Sequence, residues 1–253
     1  MSTNNAVSLP MYAVNQPDVT ALWSALRALL SEQGFDADNL DLNWPEDLIQ
    51  HWEQPRLLLS QTCGYPLVTR LENVQPVGCF HYVAAGCEGV GYRSFLLTRQ
   101  KDMGGSLPDF RQRIAVANSK DSQSGYNALR KMVAPLGGQG PFFSEVIFSG
   151  SHRQSLLALQ QGDADIAAID CVTYALLQKH QPQALAQLKI IGETPLTPGL
   201  PLITGPETTE NQLCQLRSAL KRLVTDPRYR QVCRAALIGG FSEVSRQHYD
   251  VIL

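Results

Sequence analysis

The sequence predicts an α/β fold with mainly parallel strands. Three observations carry this. Short β-like runs alternate with runs at helical spacing. The alternation is most regular in the middle of the chain, where strand and helix repeat from residue 113 to residue 191. The composition of the 253 residues, 44% apolar and 17% charged, suits a globular chain that buries a sizeable core as one large domain or two small ones.

Taken in order, residues 8–13 read as a short strand. Asp18 is placed to cap the helix that follows, with Leu22, Leu26 and Leu29 on one face and Gly34 as its stop. Residues 57–61 form the next strand, which runs into Thr62-Cys63-Gly64-Tyr65-Pro66, and residues 77–84 and 92–98 are further strands. The middle gives a strand at 113–117 and a helix at 124–134, then a strand at 145–148 and a helix at 151–161 that stops at Gly162. A strand at 165–169, a helix at 171–181 and a strand at 188–191 complete that rhythm. After the turn Pro195-Leu-Thr-Pro198-Gly199 comes a short strand at 200–204. The tail is helical, with Leu213, Leu216, Leu220 and Leu223 on one face and Pro227 opening a new helix.

The net charge of −2, from 21 basic and 23 acidic residues, excludes a nucleic-acid coat, an acidic disordered chain and a polybasic membrane anchor. No apolar run approaches the roughly 18 residues of a membrane helix. The opening Met1-Ser-Thr-Asn-Asn5 has no basic segment and no apolar core, so no secretory signal is read there. The expected location is periplasmic if a leader has been removed and cytoplasmic otherwise. The six cysteines, at 63, 79, 87, 171, 214 and 233, form no CxxC and no zinc-ligand spacing. They read as reduced core residues, with pairing left open by their even number. No metal, cofactor or nucleic-acid partner is expected.

Open α/β sheets bind ligands beyond the carboxyl ends of their strands. The strand ends here deliver Met11 and Tyr12, then Gln61 to Tyr65, then Asp121-Ser122-Gln123-Ser124-Gly125-Tyr126, then Ser149-Gly150-Ser151-His152, and last Asp170. Two of these are serine- and glycine-rich helix starts, where N–H groups and the positive end of the helix dipole favour an anion. Each candidate has a plain structural reading beside it. Ser122 or Ser124 would merely cap a helix, Tyr65 and Tyr126 would pack a rim, His152 would sit exposed in a first turn, and Asp170 would cap the helix after it. There is no GxxxxGK[ST] loop and no GxSxG elbow, and Gly89-Val-Gly91-Tyr-Arg-Ser94 fails GxGxxG at its last position. No catalytic residue is assigned.

A group of motifs then resembles a known family. They are Ser60-Gln-Thr-Cys-Gly-Tyr65, Gly91-Tyr-Arg-Ser94, Ala115-Val-Ala-Asn118 with Ser122-Gln-Ser-Gly-Tyr126, Ser149-Gly-Ser-His152 and Gly162-Asp-Ala-Asp-Ile-Ala-Ala-Ile-Asp170. From about residue 8 to about residue 238 the chain resembles the substrate-binding components of phosphonate, phosphite and phosphate ABC importers, within the type II periplasmic-binding-protein fold. That resemblance implies two α/β lobes with ligand in the cleft between them. Lobe one would be residues 1–96 plus 195–253, and lobe two residues 97–194. It further implies that Ser122, Ser124, Gly125, Tyr126 and His152 hold phosphoryl oxygens. Tyr12, Thr62 and Tyr65 would contribute from lobe one, and Asp170 would receive an amino group of the ligand.

The resulting expectation is a solute-binding protein for a small oxyanion, with an ABC importer's membrane component as a possible partner. Neutral donors and helix ends hold an oxyanion without net positive charge. Two alternatives stay open on the same fold. One is a cytoplasmic enzyme similar to those of menaquinone or thiamine-pyrimidine synthesis, using His152, Cys63 or Asp170. The other is a cytoplasmic ligand sensor.

Overall fold

A computed structural model describes residues 6–36, 40–138 and 140–253. Met1 to Asn5, read above for a leader, lie outside the described residues. The chain divides into two compact units, one of Met1–Val83, Glu88–Gly91 and Pro198–Leu253, the other of Ala84–Cys87 and Tyr92–Thr197. The chain changes units on either side of the turn 84–87 and again within two two-residue strands, β4 (Gly91–Tyr92) and β10 (Thr197–Pro198). Strand β5 (Ser94–Arg99), which a boundary at 96 would cut, lies whole in the second unit.

The first unit is built from β1 (Ala6–Val7), α1 (Gln16–Glu32), α2 (Leu48–Trp52), β2 (Leu57–Gln61), α3 (Gly64–Thr69) and β3 (Gln75–Tyr82), and then from β11 (Pro201–Thr204), α7 (Glu210–Thr225), α8 (Arg230–Ala235) and β12 (Ile238–Ser242). Its sheet has the order β1-β2-β11-β3-β12. Strand β1 stops at Val7 and the chain turns over residues 11–14, so the strand expected at 8–13 does not form. Pro10 lacks the N–H that a continuing ladder needs. Asn15 is the N-cap of α1, which leaves Asp18 in the first turn instead of at the cap; a carboxylate there still faces the positive end of the dipole. Gly34, at φ +92°, supplies the left-handed stop. Leu22, Leu26, Leu29 and Leu30 of α1 pack with Leu216, Ala219, Leu220 and Leu223 of α7. A second cluster gathers Trp52, Leu57, Leu67, Ile203 and Tyr249. Pro227 opens a 3₁₀ turn that leads into α8.

The second unit continues from β5 through β6 (Ile114–Ala117), α4 (Ala128–Val133), β7 (Glu145–Phe148), α5 (His152–Gln161), β8 (Ile166–Asp170), α6 (Cys171–His180) and β9 (Leu188–Glu193). Its sheet order is β7-β6-β8-β5-β9. Leu96, Phe110, Ala115, Leu129, Phe142 and Ile166 lie in its core.

The α/β class stands, but both sheets are mixed, which corrects the expectation of mainly parallel strands. β6 runs parallel to β7 and β8, whereas β5 runs antiparallel to β8 and β9. β11 is likewise antiparallel to β2 and β3. In each unit the strand that follows a crossing enters mid-sheet against its neighbours. Short buried runs look alike in either direction, so nothing local to the sequence signals this.

The direction of β5 matters for function. The carboxyl ends of β6, β7 and β8 share one edge, and β5 begins there, with Ser94 in register with Asp170. At the opposite edge Asp165 fixes three strands. Its carboxylate meets Arg99 Nη2 at 2.7 Å and accepts from Ile114 N–H at 3.0 Å, while its carbonyl accepts from Thr98 Oγ1 at 2.8 Å.

Candidate functional site

Beyond β6 the chain turns into a helix whose first five residues, Gln123–Asn127, are wound as π-helix. The Asn127 N–H donates to Ser122 O, five residues back, at 3.0 Å. The helix therefore begins one residue before the expected Ser124, with a wider first turn of a kind often found at functional sites. Ser122 is the N-cap, its Oγ accepting from Gly125 N–H at 2.9 Å. Ser122, Gln123 and Ser124 are all buried. Gly125 is required by close approach: a Cβ there would stand 1.9 Å from Asn118 Oδ1. Tyr126 packs its ring edge-on against Phe148 at the end of β7, with centroids 5.2 Å apart.

Beyond β7, Ser151 caps α5 by accepting from Gln154 N–H at 3.2 Å. His152 is the first residue of that helix, and its Nε2 lies 3.1 Å from Ser124 Oγ. Its Nδ1 is sealed from solvent and has no hydrogen-bond partner among the described residues, as is true of Asn118 Oδ1. Burial holds the imidazole pKa down to about 4, so the ring is neutral at physiological pH. A neutral ring carries one N–H; with that hydrogen on Nε2 it donates to Ser124, whose own hydroxyl is then free to donate to a third atom.

Beyond β8, Asp170 is the N-cap of α6, its Oδ1 accepting from Val172 N–H at 2.7 Å and Thr173 N–H at 3.0 Å. Ser94, its register partner, donates through Oγ to Ser124 O at 2.9 Å. Ser94 in turn is held by Thr194: the Ser94 N–H meets Thr194 Oγ1 at 2.9 Å and the Thr194 N–H meets Ser94 O at 2.8 Å. Arg93 pairs with Glu193 beside them.

Six expected residues, Ser122, Ser124, Gly125, Tyr126, His152 and Asp170, thus share one edge of the second unit's sheet. Ser94, Thr194 and Asn118 were not assigned from sequence. Ser94 and Asn118 stood inside recognised motifs, yet only the antiparallel entry of β5 brings Ser94 to this edge.

Tyr12, Thr62 and Tyr65 lie in the first unit. Tyr12 packs edge-on against Tyr82, with centroids 4.8 Å apart, and Tyr82 OH accepts from Gln61 Nε2 at 3.1 Å. Thr62 is buried, its N–H donating to Pro201 O at 3.0 Å. Tyr65 is half-buried in the first turn of α3. Cys63, one of the three residues offered for the alternative enzyme reading, is buried ahead of the same helix. A cavity of about 500 Å³ between α7, α8 and β12, lined by Val83, Asp226, Arg230 and Arg234 among others, includes none of these candidates. Among the described residues no cluster of His, Cys, Asp and Glu is arranged to hold a metal, and no helix is long and apolar enough to cross a membrane.

Chemically, the edge of the second unit offers two helix starts on adjacent parallel strands, with hydroxyl and imidazole donors between them. First-turn N–H groups have no acceptor within a helix, so they present a partial positive charge there. That arrangement suits an oxyanion.

The family model for ABC transporter phosphonate periplasmic substrate-binding proteins matches residues 13–249. The chain belongs to this family. Solved structures agree on the fold. The binding-protein component of an ABC phosphonate transporter from Pseudomonas aeruginosa aligns with a TM-score of 0.74 and 18% identity, over 97% of this chain and 83% of that one. PhnD1 from Prochlorococcus marinus, solved in complex with methylphosphonate, gives a TM-score of 0.75 and 15% identity over 98% and 95%. XAC2383 from Xanthomonas citri, bound to ATP, gives a TM-score of 0.74 and 14% identity over 99% and 96%. No curated protein matches the chain by sequence. The family carries a solute-binding role, and the two α/β units are those of periplasmic binding proteins.

Proposed function

We propose that this protein captures a phosphonate- or phosphate-like oxyanion and delivers it to the membrane component of an ABC importer. The carrying observation is the Ser124–His152 hydrogen bond, which joins two helix starts at neighbouring parallel strand ends. In this reading Ser124 and His152 bind phosphoryl oxygens, with N–H groups of the Ser122–Tyr126 turn. Asp170, in register with Ser94, would receive a cationic group when the ligand has one. Tyr12, Thr62 and Tyr65 are proposed as further ligand contacts on the family's pattern. The cradle is almost uncharged, and fixed dipoles replace the solvent that the anion loses. The family's periplasmic setting supports the same location here.

A ligand that binds only the folded state raises its melting temperature by mass action. Phosphate, phosphite, methylphosphonate and 2-aminoethylphosphonate, each at millimolar concentration, form the test panel. A positive shift with at least one is expected; no shift with any of them, on folded protein, would overturn the reading.

A further inference from the structure

We propose that Cys87 and Cys171 are a reversible disulfide pair, closed by a disulfide oxidant. Their sulfurs lie 3.4 Å apart across 84 positions of sequence, both within the second unit. A bonded pair stands about 2.0 Å apart, so the sulfurs must approach by a little over an ångström. The local structure permits this. Cys87 is half-buried at the end of a tight turn, its N–H donating to Ala84 O at 3.1 Å. Cys171 is the first residue of α6, anchored by its N–H to Arg93 O at 3.0 Å. Gly86 lets the turn lie against that helix start. A Cβ on Gly86 would meet Cys171 Cβ at 2.9 Å and Sγ at 3.2 Å, and the glycine's φ of +92° is one that other residues rarely adopt. Cys63, Cys79 and Cys233 are buried and Cys214 is exposed.

The two thiols are unequal. The hydrogen bond from Cys171 holds the Cys87 thiol below its ordinary pKa, while that same bond and burial hold Cys171 above its own. Cys87 is also the half-exposed one and Cys171 the fully buried one, so Cys87 meets the oxidant as the attacking sulfur and Cys171 resolves. The Cys87 thiolate, its proton released to solvent, attacks one sulfur of a small-molecule disulfide RSSR. A Cys87–SR bond forms and the first RS⁻ leaves, taking up a proton. Cys171 then attacks the Cys87 sulfur, its own proton passing to the second departing RS⁻. Two protein thiols are oxidised and one RSSR is reduced to two RSH. The new bond fastens the 84–87 turn, where the chain passes between units, to the head of α6 beside Asp170. It rests on no assumption about the ligand.

The experiment uses the folded chain carrying Cys214→Ser, which removes the exposed thiol. After incubation with oxidised glutathione, the protein is alkylated and digested without reduction. The expected result is the loss of two alkylatable thiols, no retained glutathione, and one peptide pair joined through Cys87 and Cys171. Cys171→Ala should instead trap a single glutathione on Cys87. Should that buried variant fail to fold, Cys87→Ala must abolish the oxidised species. An unchanged thiol count after prolonged oxidation, a bond between any other pair, or an oxidised species that survives Cys87→Ala would overturn the proposal.

Discussion

Ser124 Oγ lies 3.1 Å from His152 Nε2, whereas Ser122 and Ser151 give their hydroxyls to the first turns of their own helices. Capping and the proposed ligand contact therefore fall on different serines, and mutation separates them. Ser124→Ala should weaken binding of the panel's best anion about tenfold, the equivalent of ~1.4 kcal/mol, and should also cost about 1–3 kcal/mol of stability, because His152 Nε2 loses its partner. Ser122→Ala should cost about 1 kcal/mol of stability through the lost cap. Calorimetric titration and urea unfolding of both variants decide. Unchanged affinity in Ser124→Ala would reduce that hydroxyl to a structural tie between the two helices.

Gly125 gives a second test. Its missing side chain is the space that Asn118 Oδ1 occupies, and a Cβ would also lie 3.2 Å from Ser122 Oγ. Gly125→Ala must displace Asn118 or unwind the π turn. Overpacking of this kind costs about 1–3 kcal/mol. Affinity should fall at least as far as in Ser124→Ala, because the whole turn moves. Gly89→Ala is the control, since among the described residues no atom lies within 4 Å of its would-be Cβ, although its φ of +56° carries backbone strain. Equal affinity in wild type and Gly125→Ala would remove the turn from the binding reading.

The helix starts were legible because capping and stopping chemistry is local. Ser151 and Gly162 bracket α5 as their residue types require, and Asp170 caps α6. Strand direction was not legible, since β5 reads as an apolar run whichever way it lies. With it went Ser94, whose approach to Asp170 and Ser124 depends on that direction. The π turn was also hidden. It rests on Asn127, whose Nδ2 bonds Lys120 O and Ser122 O at 3.0 Å each, a contact that spacing does not announce. Pro10 is a local signal of the other kind: its missing N–H ends the ladder of β1 inside an apolar run.

The first unit holds a buried polar chain that sequence spacing did not suggest. His51 Nε2 meets Ser8 Oγ at 2.7 Å, Ser8 Oγ meets Ser60 Oγ at 2.8 Å, and Trp52 Nε1 donates to Ser60 Oγ at 3.2 Å. All four side chains are buried, and burial lowers the His51 pKa, so the ring is neutral. His51→Ala leaves hydroxyls short of a partner, at about 1–3 kcal/mol, and opens a cavity as well. Urea unfolding should show the loss, with His51→Gln recovering part of it. A change below about 0.5 kcal/mol would mean that this chain contributes little to stability.

The last prediction concerns protons at His152. Its pKa in the folded protein is held to about 4 by burial, against about 6.5 in an unfolded chain. Between those values the unfolded state binds more protons, so stability rises with pH. The contribution is complete above pH ~6.5 and is lost as pH falls towards 4. His51 adds a slope of the same sign. His152→Gln should therefore flatten the acid-side decline of the unliganded protein without abolishing it. An anion bound beside the ring favours the imidazolium and raises its pKa. Binding should then take up a proton in weakly acidic solution, and anion affinity should rise as pH falls through the bound-state pKa. The ligand's own second ionisation produces a similar trend, but equally in wild type and His152→Gln, so the difference between the two belongs to the histidine. Titration at about pH 5 in two buffers of different ionisation enthalpy counts the protons. Wild type should take up more than His152→Gln at that pH, and the gap should close by about pH 8. Equal proton counts in the two proteins would show that His152 does not meet the anion.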